Sequence, residues 1–180
     1  RPTIRGTIAS FFQHGEGLAI AAALEDPSFT YEDLIYEIAN IRAGHRFDAL
    51  ANTSDRMRFV CREAFRSATY EGYLNKGLPI EYGDGAAEVM RELTAKATSK
   101  PNSFSEILSP GDIERAHLEW RSMLFHIAHA PEFEWERWTG FQKAVDAFIA
   151  RYLFAAKREE PPPLTAAQSV RPFDNDSGLF

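Results

Sequence analysis

The sequence predicts an all-α fold, an array of six to eight packed helices with room for a small degenerate winged-helix remnant at the N-terminal end. Three observations predict it. Apolar residues recur at helical spacing through most of the chain, helix start and stop signals bracket those segments, and no stretch shows a confident strand alternation. A short wing near residues 44 to 53 or 78 to 82 is the one place left open for strands. The 180 residues, 44% of them hydrophobic, suit one domain with a full core. We read that domain as residues 1–158, followed by an extended Pro-rich and then acidic tail over 159–180.

The elements follow in order. "TIRGTIASFF" places Ile4, Ile8, Phe11 and Phe12 on one side of a first helix. Gly15 and Gly17 interrupt it. They read as a sharp corner that lets the alanine-rich "LAIAAALE" helix pack closely. Thr30 can cap the third helix, with Asp33 standing in for the capping-box acid. Leu34, Ile35, Ile38 and Ile41 form its buried stripe, and Gly44 can end it in the left-handed conformation.

Ser54 or Asp55 is the expected cap of the next helix, whose inward residues are Met57, Val60, Cys61, Ala64, Phe65 and Ala68. The irregular connection that follows contains Gly72, Gly77, Pro79, Gly83 and Gly85. It also carries Tyr70, Tyr73, Leu78, Ile80 and Tyr82, and is expected to pack down onto the helices. Asp84 is the expected cap of "GAAEVMRELTAKA". Ser109 followed by Pro110 opens a long helix that buries Ile113, Ala116, Trp120, Leu124 and Ile127. The last helix, from about Glu134 to Lys157, buries Trp138, Phe141, Val145, Phe148, Tyr152 and Leu153.

Composition narrows function. The net charge of −6 supplies no bulk attraction to phosphate, so nucleic-acid contact would need a local basic patch. Cys61 is the lone cysteine, which rules out an intramolecular disulfide and fits a reducing cytoplasm. Its place on an apolar stripe reads as a buried, inert thiol. No run of about 18 apolar residues suggests a membrane span. The opening "RPTIRG" has neither an initiator Met nor a signal-peptide shape, and reads as a cut or processed start.

No motif fixes a catalytic activity, and no cofactor is implied. The glycines of "HGEGLA" lack the Lys and Ser/Thr of a phosphate loop. Glu114 and His117 form half of a di-iron motif with no second copy. His126 and His129, three residues apart, read as surface or packed residues rather than metal ligands. The arginines are more informative. Arg58, Arg62 and Arg66 recur every four residues opposite an apolar stripe, and Arg42 and Arg46 can extend the set. Such a stripe suits a phosphate backbone. As an ordinary surface it would be bridged by Asp55 and Glu63. In the tail, Phe173, Asp174, Asp176 and Phe180 give an acidic segment ending in an apolar residue, a candidate for partner docking.

The block "PTIRGTIASFFQHGEGLAIAAALED", through Thr3, Gly6, Ile8 and Ala9, resembles the step that follows the winged-helix region in Ski-type DExH helicases of superfamily two. Residues 61 to 89 also resemble C-terminal regions of bacterial helicases. Together these cover roughly residues 1 to 90. The resemblance implies a non-catalytic helical accessory domain that braces a motor and lines the path of a single strand. The ATPase would lie upstream or in another chain. The acidic net charge departs from that pattern, and no catalytic residue carries over. The rival reading is a helical protein–protein interaction module that uses the acidic tail.

Overall fold

The computed structural model describes residues 3–47, 55–95 and 109–153. Among these residues there are seven α-helices: α1 (Ile4–Ala9), α2 (Glu16–Glu25), α3 (Tyr31–Ala43), α4 (Arg56–Phe65), α5 (Ala86–Ala95), α6 (Pro110–Ala128) and α7 (Glu136–Phe148). A 3-10 turn, Gly44–Phe47, extends α3, and a π-turn, Ile149–Leu153, extends α7. A two-residue hairpin, β1 (Leu74–Asn75) with β2 (Leu78–Pro79), pairs antiparallel between α4 and α5. The all-α expectation therefore holds. No strand occurs among the described residues of the N-terminal end, which are helical or turn. Of the hairpin, β2 falls in the later of the two stretches left open for a wing, and β1 lies before it.

The central elements are α2 and α3. α3 packs against α2, α5, α6 and α7, while α2 also meets α1 and α4. Alanines make this possible: Ala19, Ala21 and Ala23 on α2 are fully buried, as are Ala39 and Ala43 on α3. Small side chains let two backbones approach where bulky ones would hold them apart. Gly15, at φ +80°, turns the chain into α2. Gly17 faces the Ala9 backbone so closely that a Cβ there would overlap it. The glycine pair is thus the corner expected from sequence.

Several buried polar groups are met by specific partners, as a dry core demands, while Arg46 Nε is buried without one among the described residues. Trp120 donates its Nε1 to the Ile35 carbonyl at 2.8 Å, and Tyr36 stacks on the Trp120 ring. Gln142 donates to the carbonyls of Ile127 and Ala130, closing the end of α6. Arg137 donates to the carbonyls of Leu24, Asp26 and Phe29, closing the end of α2. Thr30 and Ser109 cap their helices as the sequence suggests, and Thr3 caps α1 as well.

Four local expectations are corrected. Ile4 is exposed, because a six-residue helix turns its first residue away from α2. Asp84 does not cap α5; Asn40 Oδ1 takes the Ala87 N–H at 2.9 Å instead. Gly44 has an ordinary helical φ of −60°. Its lack of a side chain serves a close approach, since a Cβ would run into the Gly83 backbone. Finally, only part of the 70–82 connection packs down: Leu74 and Leu78 are buried and Tyr82 is half-buried, while Tyr70, Tyr73 and Ile80 stay exposed. The expected cap Ser54, the end of the last helix and the tail with Phe173, Asp174, Asp176 and Phe180 lie outside the described residues.

Candidate functional site

α4 buries Met57, Val60 and Cys61 against the core. With 3.6 residues per turn, its outermost line then runs through Phe59, Arg62 and Arg66 at i, i+3 and i+7. Phe59 is 63% exposed, and Arg62 and Arg66 are exposed as well. Among the described residues, neither arginine forms an ion pair. Arg66 is no longer helical. It caps α4 at φ 56°, a left-handed conformation unusual for a residue with a side chain, so the expected straight row of three bends at its last member. Two further exposed rings follow in the next turn, Tyr70 at 59% and Tyr73 at 55%. The hairpin returns to the end of α4, where Gly77 donates its N–H to Ala68 O at 2.8 Å.

Arg58 leaves the row for a different reason. Its Nε donates to Asp84 Oδ2 at 2.9 Å, its Nη2 bonds the same oxygen, and its guanidinium lies over the Tyr82 ring. The hydrogen bond to Asp84 raises the Arg58 pKa still further. This is a tie between α4 and the loop before α5, and the partner is neither Asp55 nor Glu63. Arg42 and Arg46 are engaged too. Arg42 meets Glu16 at 2.7 Å and Glu81 at 3.5 Å, and Arg46 meets Glu119 at 2.7 Å. Of the predicted stripe, Arg62 and Arg66 remain as outward cations. The other three arginines join elements of the fold.

A second concave feature lies on another part of the surface. A cavity of about 450 Å³ opens between the α1–α2 corner, the end of α3 and one flank of α6. Phe11, Phe12, Leu118 and Met123 form its apolar wall; Glu16 and Glu119 bring carboxylates to it. Glu16 is 2% exposed and starts α2, where the helix dipole favours its charge. Burial nevertheless raises its pKa, with Arg42 opposing. His126 Nε2 lies 2.7 Å from the Phe11 carbonyl, which only accepts, so that nitrogen carries the proton.

Comparison with family models, curated proteins and solved structures finds no match. Function therefore rests on the chemistry of these surfaces. Among the described residues, no three His, Cys, Asp or Glu side chains converge as a metal site. His117 packs on Trp120, and its pKa is lowered by burial and by Arg121. His129 donates Nδ1–H to the Phe125 carbonyl. Cys61 is buried, and its thiol pKa is pushed up to about 12, mainly by burial with Glu37 adding to it. No described helix is long and apolar enough to cross a membrane.

The sequence reading did not single out Phe59, and it expected Tyr70 and Tyr73 to pack down. Phe59 was findable: it lies between Arg58 and Val60, yet falls on the polar side of the 3.6-residue wheel. The Glu16–Arg42 pair carries no local signal, because its members are 26 positions apart.

Proposed function

We propose that this chain is a non-catalytic helical accessory domain of a DExH-type helicase, which braces the motor and touches single-stranded nucleic acid through the outer face of α4 and the turn after it. The observation that carries the reading is the row of Phe59, Arg62 and Arg66, followed by exposed Tyr70 and Tyr73. Guanidinium groups pair with phosphates, and open rings stack on unpaired bases at about 1–3 kcal/mol per base. The family resemblance of residues 1 to 90 supports the same reading. Arg58, Arg42 and Arg46, each held by a carboxylate of this chain, tie elements of the fold together and leave the strand contact to Arg62 and Arg66. A cytoplasmic place, shared with the motor, belongs to the same proposal.

The net charge of −6 sets the expected behaviour. Binding by two arginines on an acidic domain is weak and fades as salt rises. Fluorescence anisotropy of a labelled oligothymidylate, titrated with the whole chain across a salt series, tests this. Saturable, salt-sensitive binding supports the proposal, and its absence at low salt rejects it.

The acidic charge also favours a second reading, a protein-interaction module. Phe, Tyr and Arg are the side chains that anchor protein interfaces, and Glu63 and Glu71 offset the two arginines on that face. In that reading, Phe173, Asp174, Asp176 and Phe180 add a docking tail. A protein partner that is lost on removing residues 159–180, with no strand binding in either form, would favour it.

A further inference from the structure

The cavity beside α6 has a chemistry of its own. Its apolar wall is unfinished: Leu118 is 56% exposed above Phe12 and Met123, which are buried. No lining residue comes from α4 or the hairpin, so the cavity is separate from the proposed strand-contact face. Its volume falls in the range of sites that take small ligands or single side chains.

The charges decide what fits. Arg42 is the guanidinium in the lining, and it already faces two carboxylates, Glu16 at 2.7 Å and Glu81 at 3.5 Å. Glu119 is balanced by Arg46. Three carboxylates therefore surround two guanidinium groups, a net of −1, which repels phosphates and attracts a cation. The apolar wall selects further, for a cation carried on an aliphatic stem. Lysine and arginine side chains have that form, with methylenes that lie on apolar surface and a charged head that seeks oxygen.

We infer that this cavity is a docking site for a basic, amphipathic segment of a partner protein, whose arginine or lysine stem lies on Phe12, Leu118 and Met123 and whose head reaches the part-exposed carboxylate of Glu119. Charge complementarity singles out this occupant: a purely apolar segment would leave the net charge of −1 unbalanced, and an acidic one would be repelled.

The probe is a short amidated peptide of alternating leucine and arginine, titrated into the ¹⁵N-labelled whole chain. A matched peptide with citrulline in place of arginine removes the charge and keeps the shape. The arginine peptide should give saturable amide shifts at Gln13, Ser122 and His126, and the citrulline peptide should bind about tenfold or more weakly. Ser122 is exposed, so Ser122→Arg should fold normally while filling the cavity with the chain's own cation, again weakening the peptide about tenfold. Changing Arg62 to Ser should leave peptide binding intact. Equal binding of the citrulline peptide, shifts centred on α4, no saturable shift, or a fully folded Ser122→Arg protein with unchanged affinity would each overturn the inference.

Discussion

Arg58 and Asp84 are bonded through both Nε and Nη2 of the guanidinium, with the Nε contact at 2.9 Å. Asp84 also accepts the Tyr82 hydroxyl at 2.9 Å on its other oxygen. The carboxylate is nearly buried, so its removal strands a guanidinium and a hydroxyl together. Asp84→Ala should cost about 1–3 kcal/mol in chemical denaturation. A melt identical to wild type would show that this tie does not hold α4 in place.

The same region gives a second stability prediction. The 81–85 loop clasps the end of α3 through His45 N–H to Glu81 O, Gly83 N–H to Asn40 O, and the Gly44–Gly83 approach. A methyl at residue 44 meets rigid backbone rather than a yielding side chain. Gly44→Ala should destabilise by about 1–3 kcal/mol, although alanine favours helices. An increase in melting temperature would mean that the two backbones stand apart.

Ala22 tests the central position of α2. It is 3% exposed, on a helix whose neighbouring alanines are fully buried. Ala22→Leu should overfill that site at a cost of about 1–3 kcal/mol. A neutral result in thermal melts would place this side of α2 at the surface.

Glu16 makes a prediction about pH. Burial raises its folded pKa above the ordinary glutamate value, with Arg42 pulling the other way. A carboxyl with a raised folded pKa holds its proton more tightly in the folded state than in the unfolded one. That contribution is fully present below the ordinary value of about 4.3 and is lost as pH rises through the raised one. Over that window, wild type should lose stability relative to Glu16→Gln in parallel urea melts. A difference that is flat, or that grows in favour of wild type as pH rises, would contradict the balance of burial over pairing.

These cases also show where the sequence was legible. Caps announce themselves locally: Thr30 and Ser109 lie within three residues of the amides they accept. The apolar stripes of α3 and α6 are set by spacing alone and are buried as that spacing implies, as are Trp138, Phe141, Val145 and Phe148 of α7, while Tyr152 beyond it is half-buried. Long-range pairings leave no such mark. Asn40 rather than Asp84 serves α5 because tertiary approach brings a residue 47 positions away to Ala87. Arg58 resembles Arg62 in sequence, and only the fold brings Asp84 to one and leaves the other outward. Glycine shows the same limit at Gly44, where the reason lies in Gly83 across the fold rather than in local handedness.

Arg66 offers the sharpest separation of stability from function. Its φ of 56° suits glycine better than arginine. Arg66→Gly should therefore keep or raise stability, by up to about 1 kcal/mol of relieved strain, while weakening strand binding. A loss of stability would mean that the arginine side chain holds the end of α4.

The central claim is that the outer face of α4 meets a nucleic-acid strand while Arg58 serves the fold. Anisotropy with labelled oligothymidylate should be measured across a salt series for wild type, Arg58→Ser and the Arg62→Ser, Arg66→Ser double variant. The account predicts that the double variant stays folded, loses most of its affinity and flattens the salt slope by about 1.4, at about 0.7 per phosphate contact. Arg58→Ser should lower stability and leave that slope intact. A double variant that binds with wild-type affinity and slope would contradict the account.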